Sequence, residues 1–207
     1  MQNRKGVVLA GGSESRLFPK AMAVSKQLLA IYDKRMIYHP LSVFMLADVL
    51  DIAIVTPLHN PAQFKRSLGN GQKRVVSLTY IVLDAPNGLT EVYINAESFL
   101  DRHPSAMILE ENIFYGDGLT DVLASAAARY EGGTVFGCCV LDLKRCGVFD
   151  NQEHAISLVK KTKQLASQSA VIWNYFLDAT ASGQAKLISP SERGEIEITS
   201  LLRQYLG

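Results

Sequence analysis

A chain of 207 residues with 48% hydrophobic and 20% charged residues has the size and make-up of one α/β domain with a substantial core. Its formal net charge of +1 gives no bulk electrostatic attraction to nucleic acid or to an anionic membrane. The three cysteines, Cys138, Cys139 and Cys146, are an odd number without CxxC spacing, which points to reduced thiols in a cytoplasmic protein. The longest apolar stretch, Leu41–Thr56, is cut by Asp48 and Asp51, so it does not read as a membrane span. The N-terminus lacks an apolar region long enough for a signal peptide.

In chain order, Gly6–Ala10 is too short for a helix and reads as a buried strand. Tyr38–Leu50 has apolar residues at helical spacing, and Ile52–Thr56 is a second strand. Asn60–Leu68 opens on Asn-Pro, a helix start. Val75–Val82 is a strand, Leu89–Leu100 a helix, Ala106–Leu109 a strand and Thr120–Tyr130 a helix. Thr134–Leu141 and Ala155–Lys160 are further strands, with a polar turn at Asp150–His154. Val171–Thr180 and Glu195–Leu206 read as helices. Alternation of this kind predicts a mostly parallel sheet with helices on both faces, in a single domain over residues 1–207. Ligands in such folds sit beyond the carboxyl ends of the strands, where the loop after Ala10 would lie.

That loop carries the densest signal. Gly11 and Gly12 allow a sharp turn and close approach to a ligand, because no Cβ intervenes. Backbone N–H groups there, with Arg16 and Lys26 nearby, suit a polyphosphate. The glycine pair by itself reads first as a tight turn, and it is Arg16 with Ser25–Leu29 that turns the reading toward a ligand loop. The dinucleotide fingerprint GxGxxG fails, because Ser13 and Arg16 stand where two of its glycines belong. The basic cluster Lys160, Lys161 and Lys163 reads, as a bare charge run, as a solvated face.

The run LAGGSESRLFPKAMAVSKQLLAIYDKRM, from Leu9 to Met36, resembles the signature LAGGxGTRLxPxTxxxSKxLLPxxxKPM of the sugar nucleotidyltransferases, and within them of the glucose-1-phosphate thymidylyltransferases. The resemblance continues through IYHPLSVFMLA (Ile37–Ala47), NIFYGDG (Asn112–Gly118), EGGTVFG (Glu131–Gly137) and SPSERGEIEITS (Ser189–Ser200). It implies a Rossmann-like three-layer nucleotidyltransferase fold. It further implies transfer of a nucleotidyl group from dTTP, or UTP, to glucose 1-phosphate, for deoxysugar and polysaccharide precursors such as dTDP-rhamnose. Mg²⁺ would be the cofactor, and the assembly a homo-oligomer without nucleic-acid or membrane partners. The family's C-terminal segment, with its second metal aspartate, lies beyond Gly207.

Residue by residue, the resemblance makes Arg16 the contact to the leaving pyrophosphate and Lys26 the cation that neutralises the phosphates during attack. Gly11, Gly12, Ser13, Gln27, Leu83 and Gly88 fall at nucleotide-binding positions. Asn112, Gly147, Lys161, Val171 and Arg193 fall at sugar-phosphate positions, and Glu111 at the metal carboxylate. The chain departs from the family at several of these places. Glu14 stands at a loop glycine, Glu110-Glu111 replaces Gly-Asp, Leu83 replaces a base-reading glutamine, Lys160 a carboxylate, and Trp173 a glycine. Read without the family, Glu110-Glu111 is a pair of solvated charges at a strand edge, and a lone tryptophan is core packing. Three readings follow: a working or weakened nucleotidyltransferase, a non-catalytic relative that binds nucleotide or a partner chain, or a decayed copy with no role of its own.

Overall fold

The computed structural model describes residues 3–11, 25–58, 61–83, 88–139, 147–149, 158–160, 169–191 and 194–206. Four strands form the parallel half of its main sheet: β1 (Lys5–Leu9), β4 (Asp51–Pro57), β5 (Ser77–Leu83) and β6 (Ser105–Leu109). They lie in the order β5-β4-β1-β6, with Leu9 in register with both Val55 and Leu109. The apolar runs in β1, β4 and β6 are buried on both faces, which is why they lack alternation in the sequence. The expected parallel sheet is this half of the molecule.

Beyond β6 the sheet continues antiparallel. β10 (Ser169–Leu177) pairs with β6, with β7 (Gly133–Cys139) and with β8 (Gly147–Phe149), and β8 pairs with β9 (Leu158–Lys160). Here the expectation of a helix over Val171–Thr180 is wrong. The segment is strand through Leu177, and the helix that follows, α6, is Ala181–Ala185. Asn174–Leu177 are all buried at the junction of the two halves, so the segment shows no amphipathic period by which to tell strand from helix. Its β-branched and aromatic content decides for strand. A two-stranded hairpin, β2 (Ala30–Ile31) and β3 (Lys34–Arg35), was not anticipated either. The turn expected at Asp150–His154 lies outside the described residues.

Helices cover both faces. On one, α1 (Tyr38–Leu46), α2 (Pro61–Leu68) and α5 (Leu119–Ala127) pack Phe44, Phe64 and Leu123 against Val8, Ile54 and Ile108. On the other, α3 (Glu91–Asn95), α4 (Glu97–Leu100), α6 and α7 (Ile198–Arg203) pack Tyr93, Leu100, Ala181 and Leu201 against Val7, Val55 and Met107. The single helix expected over Leu89–Leu100 is therefore two short ones, separated at Ala96. Side chains of period two along β1 and β6 thus feed two separate cores.

One turn carries local strain. Val75, after the 3₁₀ turn Gln72–Arg74, has φ 61° and ψ 25° and is 78% exposed. A left-handed conformation costs a non-glycine residue about 1–2 kcal/mol, and β-branching makes it worse. Val75→Gly should therefore stabilise the protein by about 0.5–1 kcal/mol after allowing for glycine's greater unfolded-state entropy. Thermal melting of the variant beside the parent checks this, and a lower midpoint would refute the strain at Val75.

Candidate active site

The described part of the site lies at the carboxyl ends of β1 and β6. A 3₁₀ turn, Lys26–Leu28, crosses there. Its backbone is held by the hairpin, with the Ile37 N–H donating to the Gln27 carbonyl at 2.9 Å and the Met36 N–H to the Leu29 carbonyl at 2.9 Å. The Ser25 N–H donates to Gln63 Oε1 on α2 at 3.2 Å. Lys26 and Gln27 are thereby fixed over the end of β6, where Glu110 and Glu111 follow.

Three polar contacts define the cluster. Gln27 Nε2 donates to Glu110 Oε1 at 3.0 Å. Lys26 Nζ lies 3.3 Å from the same Glu110 oxygen and 2.8 Å from Glu111 Oε2. The two carboxylates differ in setting: the Glu110 side chain is 2% exposed and that of Glu111 55%. The reading of both as solvated charges fails for Glu110, which is buried and bonded. For Lys26, burial alone would lower the pKa. The Glu111 hydrogen bond and the charges of Glu110 and Glu111 outweigh it, and the ammonium is held above the usual lysine value. Burial pushes the Glu110 carboxyl up, against the opposing pull of Gln27 and Lys26.

The other expected residues divide into three groups. Gly147 and Val171 come together, facing each other across β8 and β10, and Lys160 faces Gly147 from β9. Because β10 runs antiparallel to β6, with Asn174 beside Ile108, this row lies toward the same end of the sheet as Glu110. Asn112 follows Glu111 directly, its backbone N–H donating to the Leu109 carbonyl at 3.1 Å. Arg16, Gly12, Ser13, Lys161, Arg193 and Glu14, with the Trp173 side chain, lie outside what the structure describes.

A third group is engaged with protein. Leu83 is buried in the core against α3 and α7. Gln27 is 1% exposed, and its amide is committed to Glu110. Gly88 has φ +111°, and a Cβ there would lie 2.5 Å from the Ile196 carbonyl oxygen and 2.9 Å from its nitrogen. Gly11 has no positive φ, and its Cβ would only touch the Pro57 ring at 3.4 Å. Glycine is thus demanded at 88 by the backbone of the segment before α7. Gly88→Ala should cost about 2–4 kcal/mol through φ strain and the backbone clash. A urea titration giving a loss under about 1 kcal/mol would contradict that packing.

Among the described residues there is no group of three or more His, Cys, Asp or Glu side chains that could hold a metal ion. The exposed Glu111 carboxylate nevertheless fits Mg²⁺, which takes one or two protein carboxylates and completes its shell with water and substrate oxygens. Among the described residues no helix is long and apolar enough to cross a membrane.

A lysine and two carboxylates gather where the parallel strands end, the place at which open α/β sheets bind their ligands. The chain belongs to the nucleotidyl transferase family, which it matches over residues 5–207. It is 47% identical to the glucose-1-phosphate thymidylyltransferase of Xanthomonas campestris pv. campestris (strain B100), over 100% of this chain and 70% of that protein. The same identity holds with the Neisseria gonorrhoeae glucose-1-phosphate thymidylyltransferase, over 98% of this chain and 71% of the relative. A crystal structure described as a glucose-1-phosphate thymidylyltransferase from Bacillus anthracis, in complex with sucrose, superposes with a TM-score of 0.89 at 34% identity, over 98% of this chain and 82% of the other. A UDP-glucose pyrophosphorylase complexed with UDP-glucose shares the fold, with a TM-score of 0.83 at 21% identity, over 98% of this chain and 86% of the other.

Proposed function

We propose that this chain is a glucose-1-phosphate thymidylyltransferase, joining dTTP to glucose 1-phosphate to give dTDP-glucose and pyrophosphate. The observation that carries the reading is the placement of Lys26 against Glu111 at the end of β6, in a chain 47% identical throughout to relatives of that name. A sugar-phosphate oxygen forms a bond to the α-phosphorus, the bond from that phosphorus to the bridging oxygen breaks, and pyrophosphate leaves with the electron pair. Lys26 supplies positive charge to the phosphates as negative charge moves onto the leaving group. The row of Gly147, Val171 and Lys160, with Asn112 at the strand end, is the place for the sugar phosphate. Arg16, Lys161 and Arg193 would add cations to that neutralisation.

Glu111 would hold Mg²⁺, which when bound supplies charge neutralisation on the triphosphate. Holding both anions in place is the greater part of such catalysis. The product would feed deoxysugar and polysaccharide precursor synthesis in the cytoplasm. Pyrophosphate release from dTTP with glucose 1-phosphate and Mg²⁺ tests the proposal, with a Lys26→Met preparation as the contamination control. Release that needs both the sugar phosphate and Lys26 supports it. Binding of dTTP without release would make the chain a nucleotide-binding relative instead.

A further inference from the structure

We infer that Glu110 is a positioning residue, the fixed anchor that aims Lys26 while Glu111 is its exchangeable partner. This rests on the nucleotidyltransferase reading above and deepens it. The inference comes from the asymmetry of the two carboxylates. One Glu110 oxygen receives both the Gln27 amide at 3.0 Å and the Lys26 ammonium at 3.3 Å, inside the protein. Glu111 holds the same ammonium at 2.8 Å from a side chain more than half exposed.

A phosphate or metal arriving from solvent meets Glu111 first and can take over one side of the exchange. Glu110 is shielded from that competition, so its grip on Lys26 lasts. The Gln27 amide fixes the anchoring oxygen in turn, and the backbone of Gln27 is itself pinned by Ile37. Lys26 is therefore oriented by a chain of contacts running from hairpin to strand end rather than by its flexible stem. The resemblance puts glycine at this position, so the anchor is what this chain adds to that motif. It has two opposed consequences. A buried negative charge beside the ammonium weakens the attraction for a triphosphate in the ground state. The same charge keeps the ammonium aimed during transfer.

The test is the isosteric variant Glu110→Gln in the full chain. Calorimetric titration with dTTP should give a Kd about threefold lower than the parent's, while kcat for pyrophosphate release falls about tenfold. Opposed movements of affinity and turnover are not what loss of a merely structural contact produces. Equal affinities, weaker binding, or an unchanged kcat in the folded variant would overturn the inference.

A second readout needs no turnover. Acetylation of Lys26 by an N-hydroxysuccinimide ester, followed by peptide mass spectrometry with exposed Lys73 as internal reference, should be about threefold faster once the anchor is lost. An unchanged rate overturns the anchor. A faster rate in a protein that releases no pyrophosphate keeps the anchor and removes the proposed activity. Should Glu110→Gln not fold, Glu110→Gly carries the family's own residue and serves the same measurements.

Discussion

Replacing Arg4 by alanine should cost the fold about 3–5 kcal/mol, among the larger single-residue losses a domain of this size shows. Arg4 precedes β1 and is only 6% exposed. Its Nη1 donates to the carbonyls of Ser105 at 2.7 Å and Leu177 at 3.0 Å, its Nε to Ala127 at 3.4 Å, and its Nη2 to Arg129. Those acceptors belong to the start of β6, the end of β10 and the tail of α5. One guanidinium therefore ties both halves of the sheet to a helix. Its plane also lies over Phe176 at 5.2 Å and Tyr130 at 5.7 Å. Burial lowers its pKa, which nearby Tyr130, Tyr93 and Asp178 partly offset, but an arginine keeps its proton in any event.

Truncation would leave four carbonyls short of a donor and two rings without their cation. Lysine should not restore the loss, because an ammonium on a flexible stem cannot match a planar fork of five donors. Urea unfolding followed by far-ultraviolet circular dichroism decides it. A shift below about 1 kcal/mol for Arg4→Ala would mean that water satisfies these carbonyls.

The residues that were legible in the sequence are those whose signal is local. β1, β4 and β6 are apolar runs bounded by polar residues, and α2 opens on a proline that fits a helix start. β10 was misread because its core-facing residues leave no period, and its type is set by partners on both sides rather than by its own pattern. The hairpin strands are two residues each, too short to leave a signature. At the site, the resemblance assigned Lys26 and Glu111 to one reaction, and the two side chains lie 2.8 Å apart. The resemblance could not show that Glu110 turns inward, because a carboxylate at a strand end ordinarily faces water. Contacts from Gln27 and Lys26 on the crossing turn help make that burial tolerable. Arg4 left no sequence signal at all: an arginine near a terminus is usually solvated, and its four acceptors lie a hundred residues or more away. Gly88 was reached through the resemblance alone, while what demands glycine there is its φ of +111° and the Ile196 backbone pressed against it.

Replacing Lys26 by methionine should lower nucleotidyl transfer by about 10²–10³-fold, the range for removing one preorganised charge donor from a transition state. Methionine keeps most of the stem's volume, so the loss reports charge rather than shape. Arginine should rescue little, because its longer planar head does not fit the space between Glu110 and Glu111 that a compact ammonium fills. The substitution also strands Glu110, whose carboxyl is already held above the usual range by burial and would rise further without its cation. A carboxyl whose folded pKa is raised contributes stability below its unfolded value of about 4.5, and that contribution is lost as pH rises through the folded value.

The Lys26→Met protein should accordingly be less stable than the parent at neutral pH, with the deficit shrinking as pH falls toward that lower bound. Melting across that window separates the two effects of the mutation. A deficit that narrows with acid locates the stranded charge at Glu110, while the loss of turnover at neutral pH, in protein still folded, belongs to the missing ammonium. A deficit independent of pH would mean that Glu110 is neutral in the parent, and that Glu111 alone holds Lys26.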